Sequence, residues 1–243
     1  QSPLIRYLVK KGIKISVLYR SNLSIKKYWD EGFRKKIKWK INLLKGYQYN
    51  FLNYIGPNKV GKIFPITTEF IGKKFHSKSD IIWLHGIKNW YNISIIILSK
   101  FFNKKIFIRD EVHRFSKNRT YLNYLFNYFF YQIIDKFIDV YLAIGTQNKK
   151  YYIKNRVSKK KIVMVPYTVN NHFFHKKEKI NKYEIKKSKK IIFMFAAKLI
   201  YNKGTDLLLK SIKILSKYPN LSLKTEFLII GDGEMKNDLK EFS

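Results

Sequence analysis

The feature that most constrains this chain is an alternation of short β-type runs with longer helical ones, joined by short connections. Residues 80–84 (DIIWL) read as a buried strand ending at His85 and Gly86, and residues 90–102 as an apolar helix. Residues 105–109 (KIFIR) are the next strand, 119–137 a long aromatic helix, and 139–144 a strand closing on Gly145. Thr146 suits the N-cap of a short helix through Lys154, and residues 162–165 form a strand stopped by Pro166. This rhythm predicts a parallel sheet covered on both faces. Upstream, Leu4, Tyr7 and Leu8 fall at helical spacing, Gly12 stands at a C′ position, and residues 13–19 alternate as a strand. A doubly wound domain places a strand before its first helix, so the natural chain is expected to start further upstream. The stretch from the 20s to Thr67 reads as a helix and irregular excursion, with residues 21–45 mainly basic and aromatic and Gly56-Pro57 marking a turn.

The pattern fails between residues 170 and 190, where eight lysines and few large apolar groups predict a solvated linker. It then restarts with a buried strand at 191–197 (IIFMFAA), a loop at 198–204, a helix at 205–217 and a strand at 226–230. The expected division is an acceptor-side α/β domain at 1–169, a crossover at 170–190 and the start of a second domain at 191–243. Two strands are too few for a stable sheet, so the second domain is expected to be incomplete.

Composition bounds the partners. The 243 residues hold 50 Lys+Arg against 16 Asp+Glu, a formal charge of +34. Of the basic residues 43 are Lys and 7 Arg, alongside abundant Ile, Asn, Tyr and Phe, which reads as compositional drift before it reads as a selected polyanion surface. The field is physical either way and attracts nucleic acid and anionic lipid at low salt. No helix-turn-helix, RNA-recognition strand or phosphate-loop signature supports specific nucleic-acid binding. The absence of cysteine excludes disulfides, thiolate catalysis and Cys-based zinc sites.

The most informative stretch follows the strand at 191–197, which delivers Lys198 and, five residues on, Lys203-Gly204 at a helix start. Two ammonium groups beside exposed helix N–H groups make an anion site, because dipole and point charges add. In so basic a chain, two loop lysines also read as merely solvated. Gly231-Asp232-Gly233 ends the next strand, either letting the backbone approach a ligand or making an ordinary strand-to-helix turn.

The string FAAKLIYNKGTDLLLKSIKIL…FLIIGDGEMKNDL resembles the start of the C-terminal domain of group 1 (family four) glycosyltransferases. Leu199, Lys203, Gly204, the leucine-rich helix and Gly231-Asp232-Gly233 match that family's spacing. Ala197 replaces its usual Gly and Lys198 its usual Arg, keeping the charge and losing the bidentate fork. Residues 141–152 and 161–174 are similar to the segment where these enzymes leave the first domain. The resemblance implies an α/β fold of two Rossmann-like domains (GT-B), the second incomplete. It implies Lys198, Lys203 and Gly204 at the donor diphosphate, with Gly231, Asp232 and Gly233 near the nucleotide. It also implies retention of anomeric configuration with a nucleotide-sugar as co-substrate and no cofactor or metal.

For the first domain, residue counting against the family puts Glu111 nearest the usual catalytic position, His113 next and His85 third. Each also reads as an exposed loop residue. His76, His172 and His175 show no ligand spacing, which argues against a metal site. Residues 121–141 read as a core helix with its flanking strand, and alternatively as a membrane-facing aromatic surface. No apolar run reaches the roughly 18 residues of a membrane span. The expected function is a retaining glycosyltransferase using a glycan or lipid-linked acceptor in surface polysaccharide or glycoconjugate synthesis. It would be cytoplasmic or peripheral on the inner membrane face, with this chain alone inactive. The alternative is a non-catalytic basic protein binding nucleic acid or anionic membrane.

Overall fold

The computed structural model describes residues 2–23, 25–38, 42–57, 66–67, 79–113, 120–169, 171 and 190–241. Its elements run α1 (Ser2–Lys10), β1 (Ser16–Tyr19), β2 (Tyr28–Asp30), β3 (Lys35–Ile37), β4 (Gln48–Phe51), β5 (Tyr54–Ile55), β6 (Ile66–Thr67) and β7 (Ile81–His85). There follow α2 (Trp90–Phe101), β8 (Lys105–Arg109), α3 (Tyr121–Ile134), β9 (Val140–Ala143), α4 (Thr146–Lys154) and β10 (Ile162–Met164). The last are β11 (Ile191–Ala196), α5 (Thr205–Leu215), α6 (Pro219–Ser222), β12 (Thr225–Ile230) and α7 (Lys236–Glu241). The protein is a mixed α/β chain with parallel sheets. It divides into two units, one of residues 1–22 and 43–170, the other of residues 23–42 and 171–243.

The first unit is built on a four-stranded sheet in the order β10-β9-β8-β7, parallel throughout. Ile106 and Ile108 of β8 and Tyr141 and Ala143 of β9 are fully enclosed, as expected for inner strands covered on both faces. Ile96 from α2, Tyr131 and Ile134 from α3, and Tyr151 and Tyr152 from α4 complete this core. Asn89 caps α2 by accepting from Asn92 N at 2.9 Å. The Asn92 amide donates to the His85 and Gly86 carbonyls at 2.8 and 2.6 Å, which fastens the end of β7 to the helix after it. Asp139 accepts from Ile106 N at 2.9 Å and from Lys105 Nζ at 3.2 Å, tying the start of β9 to the start of β8.

Two expectations change here. α3 buries Asn127, Tyr131 and Ile134 but leaves Tyr121, Leu122, Leu125, Phe126, Phe129 and Ile133 exposed, so it is a core helix on one side only. The reason is its sequence, apolar around the whole circumference while a single face meets the sheet. Residues 21–67 hold no helix among the described residues; β2 and β3 pair antiparallel there, Tyr28 against Ile37 and Asp30 against Lys35.

That hairpin belongs to the second unit, whose other sheet is the parallel pair β11-β12, in register from Ile191↔Thr225 to Ala196↔Ile230. β11 was expected to be buried, but Ile191, Phe193 and Met194 are exposed, since a two-stranded sheet leaves each strand an open edge. Of the predicted linker, residue 170 and residues 172–189 lie outside the described residues, as do His76, His172 and His175.

Candidate functional site

The loops leaving β11 and β12 are laced together. Leu199 N donates to Asp232 O at 2.9 Å, and Met235 N donates to Leu199 O at 3.0 Å. A Cβ on Gly231 would stand 2.1 Å from Ala197 O, and one on Gly233, whose φ is +155°, 2.5 Å from Leu199 O. Both glycines are therefore required by the passing Ala197–Leu199 backbone.

Lys203 ends a single 3₁₀ turn, and Gly204 at φ 75° turns the chain into α5. The left-handed conformation favours glycine there. Gly204 supplies no side chain to cap α5, and the Thr205 hydroxyl points back to Ile200 O at 3.1 Å. The first N–H groups of an eleven-residue helix are thus left without a side-chain cap, beside a lysine that makes no ion pair among the described residues.

Lys198 is engaged. Its Nζ donates to both carboxylate oxygens of Asp30, at 2.6 and 2.9 Å, and stands 4.7 Å from the Phe33 ring centroid. Asp30 also accepts from Phe33 N at 3.0 Å. Burial raises its pKa, but these donors outweigh burial and hold the carboxyl below its ordinary range. Asp232 accepts from Lys35 Nζ at 2.5 Å and faces Lys236 at 3.5 Å, and these lysines lower its pKa too. Arg34, at φ 46°, reaches Glu234 at 3.1 Å. The hairpin is therefore bound by three ion pairs to the two laced loops, one carrying Lys198 and the other Asp232 and Glu234.

In the first unit, the carboxyl ends of the sheet strands assemble a second cluster. His85 pairs in register with Arg109 and lies 5.3 Å from Trp83, ring to ring. Burial, reinforced by the Arg109 charge, lowers its pKa to about 4, so the imidazole is neutral at physiological pH. Arg109 is 1% exposed, donates from Nη2 to Val165 O at 3.0 Å and Pro166 O at 3.2 Å, and lies 4.4 Å from the Tyr167 ring centroid. Its Nε and Nη1 have no hydrogen-bond partner among the described residues. Glu111 accepts from the Tyr167 hydroxyl. Asp110 takes Glu111 N at 2.8 Å, and burial raises its pKa. His113 follows two residues beyond Glu111; Asn148, at the start of α4, holds the intervening Val112 carbonyl at 2.6 Å.

The predicted residues thus fall into two groups, Glu111 and His85 at one sheet edge, and Lys198, Lys203, Gly204 and Gly231–Gly233 on the laced turns. Sequence reasoning named none of Arg109, Asp30 and Lys35 as a site residue. A usable signal existed for Asp30, since Asp30 and Glu31 are the only acids in residues 21–45 of a chain with 16 acids in all. Among the described residues, no group of three His, Asp or Glu is placed to hold a metal ion.

No protein-family model matches the chain. It is 29% identical over 195 residues to an uncharacterized glycosyltransferase, MJ1059, of Methanocaldococcus jannaschii, covering 74% of this chain. The chain spans 44% of that relative's length. It also superposes on S. aureus MnaA, from an MnaA–UDP co-structure, with TM-score 0.37 and 12% identity over 94% of this chain and 64% of that one. That likeness is too low to bear on fold or ligand. The chain is a distant relative of a glycosyltransferase.

Proposed function

We propose that this chain is part of a retaining, GT-B-type glycosyltransferase that moves a sugar from a nucleotide-sugar donor to a glycan or lipid-linked acceptor, in surface polysaccharide or glycoconjugate synthesis. The observation that carries the reading is the uncapped start of α5 beside Lys203, on loops laced to the Gly231–Gly233 turn. When the glycosidic bond breaks, negative charge accumulates on the departing nucleoside diphosphate. Helix N–H groups and lysines at fixed positions stabilise that charge more than water does, because they need no reorganisation. Loss of one such contact raises the barrier by roughly 2.7–4 kcal/mol, about a hundred- to a thousandfold in rate.

The sheet edge of the first unit would take the acceptor. Glu111 is the first candidate to accept a hydroxyl proton, with His113 and then His85 as further acceptor contacts. A neutral His85 can hydrogen-bond a sugar hydroxyl without charge. The donor reading is tested by thermal unfolding: UDP or GDP should raise the midpoint of the wild-type chain, and Lys203→Ala should abolish the gain. Equal protection of both would refute it. Binding should weaken yet persist at moderate salt, whereas non-specific polyanion binding collapses there.

A second reading, peripheral contact with the cytoplasmic face of an anionic membrane, is favoured by α3. Its 14 residues contain no charged side chain in a chain that is 27% charged, and six of its large apolar residues are exposed. No helix among the described residues is long and apolar enough to cross a membrane. Apolar insertion together with a basic field is how interfacial helices bind. Phosphatidylglycerol vesicles should retain the chain at moderate salt, phosphatidylcholine vesicles should not, and Phe126→Ser with Phe129→Ser should release it. Retention by neutral vesicles, or by the double variant, would refute the reading.

A further inference from the structure

We infer that the β2–β3 hairpin is an internal competitor for the anion site, with the Asp30 carboxylate occupying on Lys198 the place of a donor phosphate. This inference rests on the donor reading above and adds its regulation. The sides of the Lys198 ammonium that the hairpin covers meet two carboxylate oxygens, at 2.6 and 2.9 Å, and the face of Phe33 at 4.7 Å. Asp30 is itself well enclosed, its side chain 11% exposed, and the Phe33 N–H holds it in place. Gly32 leaves room for the Lys198 side chain. A Cβ there would stand 2.7 Å from Lys198 Cδ and 3.1 Å from its Nζ.

Two further pairs latch the hairpin, Lys35 to Asp232 and Arg34 to Glu234, and both are more open to solvent. Exposed pairs contribute little on their own, so the latch is releasable and the Asp30–Lys198 pair is its centre. A single ionised phosphate diester carries the same charge as a carboxylate, and its exchange for Asp30 on Lys198 is close to even. A diphosphate brings a second charge, which the uncapped start of α5 and Lys203 can take. The donor thus opens the hairpin by using both anchor points. A closed form in about tenfold excess over the open one weakens the apparent affinity by about the same factor.

The test is calorimetric titration of the full chain with inorganic pyrophosphate, and separately with UDP and GDP, at one moderate ionic strength. Asp30→Asn should bind pyrophosphate about tenfold more tightly than wild type. Gly32→Ala, which wedges a methyl group against Lys198 without changing charge, should shift affinity the same way. Glu31→Gln is the control for long-range field, because Glu31 is exposed and makes no ion pair among the described residues. Equal gains in Asp30→Asn and Glu31→Gln, or unchanged or weaker binding in both hairpin variants, would overturn the inference. If UDP or GDP binds wild type and the hairpin variants alike, the competitor falls and the donor reading stands. If pyrophosphate tightens but neither nucleotide binds any form, the competitor stands and the donor reading falls. Absence of all binding overturns both.

Discussion

Replacing His85 by Gln should remove a pH dependence of stability that the wild-type protein shows between about pH 6.5 and 4. His85 ends β7, with Trp83 and Arg109 crowding its ring, and its pKa is lowered from 6.5 to about 4. In the unfolded chain the imidazole takes a proton near pH 6.5, while in the folded chain it waits until about pH 4. Between those values the unfolded state binds more protons, so stability rises with pH across the window. The contribution is fully present above pH 6.5 and is lost as the pH falls to 4. At about 1.4 kcal/mol per unit, a fully enclosed ring would supply roughly 3 kcal/mol. His85 keeps an exposed edge, and solvent screening reduces this to about 1–2 kcal/mol. Urea denaturation of wild type and His85→Gln at pH 7.5 and 4.5 reads the difference directly, because Gln keeps hydrogen-bonding capacity without titrating. An imidazole proton titration should place the midpoint below the ordinary value of 6.5. A midpoint at or above 6.5, or identical pH slopes in the two proteins, would refute the reasoning.

Asp139→Asn should destabilise the first unit by about 1–2 kcal/mol at pH 7, since a charged acceptor for Ile106 N–H and Lys105 is lost. Burial raises the Asp139 pKa, but those donors and Lys100 outweigh it and hold the value below the ordinary range. The difference should therefore be present above about pH 4 and vanish as the pH falls through the folded-state pKa, which denaturation at pH 7 and at strongly acid pH will show. Gly231→Ala would bring a methyl group to 2.1 Å from Ala197 O, costing at least about 1–3 kcal/mol of local stability. Hydrogen exchange at the Leu199 N–H, bonded to Asp232 O, should accelerate, and unchanged protection would refute the interlock.

The sequence made the sheet elements legible wherever period and punctuation agree. β8 and β9 are short β-type runs between longer apolar helices, and Gly204 marks the entry to α5 by a conformation few other residues accept. The hairpin was hidden for two reasons. Its strands are three residues each, too short for a period-2 signal, and lysines supplied by the general excess sit at Lys35 and Lys36. Its partner on Lys198 is 168 residues away, beyond the reach of local patterning. α3 misled differently, because a helix apolar on every side does not say which side is covered. The lysines proposed to bind an anion stood out by their spacing at a helix start, but nothing in that spacing showed that Lys198 pairs with Asp30. Only the register of β7 against β8 sets Arg109 beside His85.

The chain order of the second unit has a consequence for synthesis. Asp30 leaves the ribosome 168 residues ahead of Lys198. At translation speeds of roughly 5–20 residues per second, the hairpin waits on the order of 8–34 s for its anchor. During that interval Asp30 lacks the Lys198 ammonium that holds it in the folded chain. Maturation of this unit is therefore paced by elongation and not by how fast a two-stranded ribbon can form.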